Sequence, residues 1–269
     1  VKIGTVFITG ASTGIGAATG KLFADKGWNV VATMRTPGRV TDIGPDDRVL
    51  VVKLDVIDPA SIQKAIAATL ERFKTIDVVI NNAGFAVVGP FEASTPEQVH
   101  KQFYTNVFGL MDVTRACLPI LREQGHGVIV NIASVGGRMA FPLYSLYHST
   151  KWAVEGLTES MQYELESFGI RVKLVEPGPI KTDFYDRSLI VLSRPDLTAY
   201  DAYVKQIEGR ANGKGATGAS PESVAKVIWR ASTDGSRRLR YSANSALLLA
   251  ARKLLPDAWL SALIRRSFR

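Results

Sequence analysis

The feature that most constrains this chain is an alternation of two patterns. Short β-branched runs, VFIT (6–9), VVATM (30–34), VLVVKL (49–54), DVVIN (77–81), GVIVNI (127–132) and VKLVE (172–176), are separated by segments of helical periodicity at about 14–27, 59–74, 97–123 and 148–168. Strands that each need a crossover helix before the next can pair only in parallel, and a parallel sheet must be covered on both faces. The expected fold is therefore α/β: a Rossmann-like, doubly wound parallel sheet in three layers. Its helix ends are punctuated by Gly27, by Asp58-Pro59, by Pro96 and by Gly169.

After Glu176 the pattern loosens. PGPIKTDFYDRS leads into a small, polar stretch from Leu189 to Gly218 that has the character of an insertion. A helix at Pro221 to Ser232, a last strand at Arg238 to Tyr241 and two short amphipathic helices near 244–255 and 257–267 are expected beyond it. The domain expectation is one unit over 1–242, followed by a basic amphipathic helical extension at 243–269. With 46% hydrophobic and 22% charged residues, the chain has the composition of an ordinary globular protein, not of a disordered or fibrous one.

The lone Cys117 excludes an internal disulfide and suits a reducing, cytoplasmic setting, with the thiol expected to be buried and inert. No leader peptide is expected, and no apolar run approaches the ~20 residues that span a bilayer. The net charge of +8 is concentrated: residues 236–269 hold eight basic side chains against Asp257 alone. No nucleic-acid motif accompanies them, so a solvated or partner-facing surface is expected, and no metal-ligand spacing occurs.

The first run passes directly into Thr9-Gly10-Ala11-Ser12-Thr13-Gly14-Ile15-Gly16 and then a helix. Glycines at 10, 14 and 16 permit a tight turn and close backbone approach, and the helix start offers free N–H groups to a dinucleotide pyrophosphate. Ser12 and Thr13 add hydroxyls. The spacing, G-x-x-x-G-x-G, is a variant of the general dinucleotide fingerprint. The second strand ends Thr33-Met34-Arg35 with no carboxylate until Asp42, so a ribose 2′-phosphate is favoured, and with it NADP(H) over NAD(H). Arg35 and Arg39 either meet that phosphate or form a solvated pair. Asp55, closing the third strand, either accepts from an adenine amino group or caps the following helix.

Tyr147 alone among the eight tyrosines has a lysine four residues on, Lys151, on one helix face. An ammonium beside a phenol favours the phenolate and brings general acid/base chemistry towards neutrality. By itself the pair is equally a solvated helix face. Its position lifts it, because Ser134 stands at the C-terminal end of the preceding strand, where open α/β sheets bind ligands. There a serine hydroxyl and a phenol make a two-donor site for developing oxyanion charge. Asn81-Asn82-Ala83-Gly84 lies at the same edge, with amides to satisfy backbone groups and small residues to admit a cofactor. His148 points about 100° away from Tyr147 and is expected at the surface or an interface.

From residue 5 to about 182 the sequence resembles the compact, single-domain branch of the short-chain dehydrogenase/reductase family. The glycine turn, Asn81 to Gly84, Asn106, Ser134 and the Tyr147/Lys151 pair all match the family pattern. The resemblance implies hydride transfer between a nicotinamide cofactor and a carbonyl or alcohol. Tyr147 would be the proton donor or acceptor, Ser134 would polarise the substrate, and Lys151 would hold the nicotinamide ribose and lower the phenol pKa. Asn106 would anchor a water in the proton relay, and Pro177-Gly178 with Thr182 would contact the carboxamide. Asn82, Ala83 and Gly84 join Gly10, Ser12, Thr13, Gly14, Ile15 and Gly16 as cofactor-binding residues. Thr33 to Arg35 and Gly136-Gly137 resemble the hydroxysteroid and retinol dehydrogenase subset. A homodimer or homotetramer through the helices at 97–123 and 148–168 is also implied.

Phe85, Val87, Met139, Phe141, Tyr144 and the segment from Phe184 onward are expected to wall a mostly apolar pocket, suited to a lipophilic small-molecule carbonyl or alcohol. The basic tail, with Leu247, Leu248, Leu255, Trp259, Leu260, Leu263 and Ile264, packs on the body or a partner, attaches peripherally to anionic lipid, or forms a lid. A dinucleotide-binding sensor without chemistry is the alternative, but such a protein has no use for Tyr147, Lys151 and Ser134 together.

Overall fold

The computed structural model describes residues 3–39, 43–44, 47–181, 189–192, 194–211 and 218–268, with the side chains of Arg39 and of 208–211 outside the description. Strand β1 (Thr5–Thr9) is followed by helix α1 (Gly14–Asp25), β2 (Asn29–Met34), β3 (Val49–Lys53), α2 (Pro59–Phe73) and β4 (Val78–Asn81). Then come β5 (Ala86–Val88), α3 (Pro96–Phe103), α4 (Gly109–Gln124), β6 (Gly127–Ile132), α5 (Ser145–Leu165) and β7 (Ile170–Pro177). The chain continues with β8 (Leu189–Val191), α6 (Asp201–Ala211), α7 (Pro221–Thr233), β9 (Arg240–Ala243), α8 (Ala246–Leu254) and α9 (Asp257–Phe268).

Seven strands pair in the order β3-β2-β1-β4-β6-β7-β9, all parallel, as the alternation requires. Strand order reverses at β1 and β4, and the crevice there is where this architecture takes ligands. Alternate residues supply the two faces: Val6 and Ile8 join one apolar core with Phe23, Val224 and Ile228, while Phe7 joins another with Ile62, Val113 and Cys117. Each fully buried side chain of this size contributes roughly 1.5–3 kcal/mol. Cys117 is buried, and desolvation pushes its thiol up to about 12.

Three differences from the sequence reading have local causes. The last strand is Arg240–Ala243, two residues later than expected, because its register follows Leu174↔Arg240 to Pro177↔Ala243 on β7. The helix expected over 97–123 is broken into α3, a π-helical turn at Tyr104–Phe108, and α4, with the Gly109 N–H bonded back to the Tyr104 carbonyl. The stretch from Leu189 contains β8, which pairs with β5 in a second, two-stranded parallel sheet. No helix among the described residues is long and apolar enough to cross a membrane.

Candidate active site

At the end of β1 the chain turns through Gly10 (φ 68°) into α1. A Cβ on Gly16 would lie 2.2 Å from the Gly10 carbonyl oxygen and 2.7 Å from Asn82 Nδ2, so only glycine lets helix and strand approach this closely. Asn82 clamps the turn, its Nδ2 donating to the Thr9 and Gly10 carbonyls at 3.0 and 2.9 Å. Thr9 Oγ1 accepts in return from the Asn82 and Ala83 N–H groups. Helices α2, α3 and α7 are capped by Asp58, Thr95 and Ser220, whereas α1 has no side-chain cap at Thr13 and no acid in its first turn. Its first N–H groups and dipole are thus available to an anion, with Ser12, Thr13, Gly14 and Ile15 half-buried around them. The cradle fits a dinucleotide pyrophosphate.

Arg35 is exposed just past β2. Arg39's side chain, Thr182 and the segment from Phe184 to 188 lie outside the described residues. Asp55 does not cap α2: Asp58 does, accepting from the Ala60 N–H at 3.0 Å, while Asp55 Oδ1 accepts from Ile57 N–H within its own turn. Gly84 lies beside Asn106, and a Cβ there would meet Asn106 Oδ1 at 3.2 Å. Asn106, in the π-helical turn, is buried and braced: its Oδ1 accepts from Phe85 N–H, and Nδ2 donates to Phe85 O and Thr150 Oγ1.

Across the switch point, β6 leads to Ser134, whose Oγ accepts from the Gly136 N–H at 3.0 Å, leaving the hydroxyl proton free to be donated elsewhere. Tyr147 is half-buried in the first turn of α5, with Lys151 Nζ 5.7 Å from its ring centroid. Lys151 is buried and donates to the Ile132 carbonyl at 2.7 Å, which fixes the ammonium at the end of β6, two residues before Ser134. Desolvation pushes Lys151 down to about 8, an effect the charge of Glu155 opposes. Pro177 and Gly178 follow at the end of β7, with the Gly178 N–H bonded to the Ala243 carbonyl.

His148 is not at the surface. It is 6% exposed, accepts from Phe141 N–H through Nδ1, and burial pushes it down to about 4. Its ring packs against Gly136, where a Cβ would come within 2.4 Å. Of the expected pocket wall, Phe85, Phe141 and Tyr144 are half-buried, but Val87 and Met139 belong to packed clusters, the latter with Val135 and Leu260 of α9. The sequence reading missed a buried acidic pair behind Lys151, Glu155 and Glu176. Its signals were a glutamate one turn beyond the lysine and a carboxylate inside the apolar run of β7.

The short chain dehydrogenase family model matches residues 4–189. The chain belongs to the short-chain dehydrogenase/reductase family. As such it is an oxidoreductase acting on CH–OH donors with a nicotinamide dinucleotide as acceptor. It is 36% identical over 277 residues to the uncharacterized oxidoreductase YusZ of Bacillus subtilis, covering 97% of each chain. It is 35% identical over 204 residues to the 3-ketodihydrosphingosine reductase of Bacteroides thetaiotaomicron, covering 76% of this chain and 74% of that one. Among solved short-chain dehydrogenases, that of Streptomyces avermitilis superposes with a TM-score of 0.80 at 31% identity, covering 97% of each chain. The Burkholderia phymatum enzyme, in complex with NAD, gives 0.80 at 25% identity over 93% of this chain and 92% of that one. The Burkholderia cenocepacia enzyme, in complex with NADP, gives 0.76 at 25% identity over 100% and 98%.

Proposed function

We propose that this family member interconverts a lipophilic ketone or aldehyde and its alcohol, with NADP(H) preferred and Tyr147 as general acid/base. The carrying observation is the Lys151 ammonium beside the Tyr147 ring, anchored to the strand end that presents Ser134. In this reading the bound dinucleotide supplies hydride exchange at the carbonyl carbon. The Lys151 charge stabilises the Tyr147 phenolate, so the phenol gives or takes the proton of the substrate oxygen near neutral pH. Ser134 donates to that same oxygen, its own lone pair being held by the Gly136 N–H. Because the Asn106 side chain braces Phe85 and Thr150, a water relay would run through the backbone of its π-helical turn. Gly10 to Gly16, Asn82, Ala83 and Gly84 hold the dinucleotide, with Asp55 at its adenine end, Pro177, Gly178 and Thr182 at its nicotinamide end, and Lys151 on its ribose.

Arg35 supports the NADP(H) preference, being the exposed cation at the end of β2 where no carboxylate stands. Assaying a panel of ketones and aldehydes with both cofactors tests the reading. A lower KM for NADPH than for NADH, lost on Arg35→Asp, is expected; equal constants in the unmodified enzyme defeat the cofactor preference, and binding without turnover defeats the enzyme reading. The Bacteroides relative, a 3-ketodihydrosphingosine reductase, takes its name from a lipid substrate, which supports a lipophilic one here.

The proposed extension at 243–269 has a second reading on its own evidence. Leu247, Leu254, Trp259 and Leu263 are 51–84% exposed beside Lys253, Arg265 and Arg266, the composition of a segment resting on anionic lipid. Salt-sensitive binding to anionic liposomes, lost on deletion of 243–269, is expected; no binding at low salt removes it. The exposed Tyr104, Phe108 and Trp152 on the π-helical turn and α5 support a homodimer or homotetramer through those helices.

A further inference from the structure

Glu155 stands one turn beyond Lys151 on α5 and is 4% exposed; Glu176, near the end of β7, is 3% exposed. Two carboxyls in one dry space repel each other, and neither can be solvated. Arg240 Nε of β9 lies 3.0 Å from Glu155 Oε2 and 3.8 Å from Glu176 Oε1, and Arg138 Nη1 lies 3.5 Å from Glu176 Oε1. The remaining oxygen of Glu155, Oε1, is buried and meets no hydrogen-bond donor among the described residues. An ionised oxygen left so is costly, whereas a protonated Glu155 carboxyl becomes a donor, and the Glu176 carboxylate stands within hydrogen-bonding reach to accept. The backbone packs tightly on Glu155: a Cβ on Gly137 would meet Glu155 Cγ at 2.9 Å and the Lys151 carbonyl oxygen at 3.0 Å, so water has no room between Gly137 and that side chain.

We propose that Glu155 and Glu176 are positioning residues that share one proton between them and thereby set the negative charge supporting the Lys151 ammonium. The inference rests on the assignment of Tyr147 and Lys151 above. Desolvation, reinforced by the Glu176 charge, pushes Glu155 up to about 7, with Arg240 and Arg138 opposing; burial raises Glu176 as well. The charged groups that face the pair are Lys151 and Glu159 on α5, Arg240 on β9 and Arg138 in the segment after β6. When Glu155 loses its proton, its charge favours the ammonium of Lys151 one turn away, and that ammonium in turn favours the Tyr147 phenolate.

The device is also tied to the C-terminal helices. Arg252 Nε of α8 donates to the Arg138 carbonyl at 3.2 Å, and Ser245 Oγ donates to the Glu176 carbonyl at 2.5 Å. The segment that bears Arg138 and the strand that bears Glu176 are thereby both held from the side of α8.

Alcohol oxidation requires the phenolate, so its rate rises with pH through the titration of Tyr147. Glu155→Gln removes the supporting charge and is expected to move that acid limb of kcat up by about one pH unit. Glu176→Gln removes the repelling neighbour, lets Glu155 ionise at lower pH, and moves the limb down. Displacements of opposite sign are the expected result; a uniform loss at every pH, or displacements of the same sign, overturns the proposal and leaves the pair a packing feature. A readout independent of turnover is carbon-13 titration of glutamate carboxyls in the full chain. One carboxyl titrating near pH 7 in the unmodified protein, and absent there from both variants, is expected. If no carboxyl titrates above the usual carboxylate range, the proposal fails whatever the enzyme turns over; if the carboxyl is found but no carbonyl is reduced, only the assignment of the site fails. Should one glutamine variant not fold, the unmodified titration and the other variant decide.

Discussion

The two halves of this ligand-binding edge are built on opposite principles. On the β1 side the work is done by missing atoms and backbone dipoles: Gly10 and Gly16 leave room, Asn82 ties two carbonyls, and α1 begins uncapped. On the β6 and β7 side it is done by buried ionisable groups, Lys151, His148, Glu155 and Glu176, held by Ile132, Phe141 N–H, Arg138 and Arg240. The first half is insensitive to protons and intolerant of volume. The second is also tightly packed, against Gly136 and Gly137, but is built from groups that respond to protons. In the function proposed above, the anion is held on one side of the switch point and the proton is moved on the other.

The largest effect that sharpens this contrast is Tyr147→Phe, which removes one hydroxyl and leaves packing intact. Turnover should fall by about 10²–10⁴-fold with the dinucleotide still bound, measured by steady-state rates alongside NADPH fluorescence titration; retained turnover breaks the assignment of roles. Gly16→Ala should do the reverse. Its Cβ would enter the space of the Gly10 carbonyl, weakening dinucleotide binding by at least about tenfold and costing about 1–3 kcal/mol in urea unfolding, equally at every pH. A pH-dependent loss there would blur the two halves into one.

The remaining effect is a pH dependence of stability. Burial holds His148 neutral down to about 4, while the unfolded imidazole takes up its proton near 6.5. A depressed histidine makes the unfolded state the better proton acceptor between those values, so stability is whole above about pH 6.5 and is lost as pH falls towards 4. The loss should reach on the order of 2–3 kcal/mol, and His148→Asn, which keeps an acceptor for Phe141 N–H, should flatten it. Unfolding midpoints at pH 7 and 4.5 for both proteins measure this.

The same contrast explains what could be seen in the amino acids. The parallel sheet, the glycine turn and the placing of Tyr147, Lys151 and Ser134 at one edge were legible because each rests on local spacing: a period of two or four, a glycine where a strand meets a helix. His148 was misplaced because a helical angle says which way a side chain leaves, not what lies there; the loop at Phe141 folds back over it. Asp55 lost the capping role to Asp58, three residues closer to the same helix. The acidic pair was hidden because its members are joined by an arginine from β9, far away in the chain, and no periodicity connects Glu155, Glu176 and Arg240. Nor did spacing reveal the π-helical turn that aims Asn106 at Phe85.

The register of β9 on β7 has a consequence for how the protein is made. Arg240 leaves the ribosome long after Glu155 and Glu176, so a nascent chain that has laid down six strands of its main sheet still carries two acids awaiting their shared cation. Until the seventh strand docks, Arg138 alone of the two arginines stands beside the pair. Docking of β9 therefore completes the seven-stranded sheet and brings the second arginine to the buried acids in a single event.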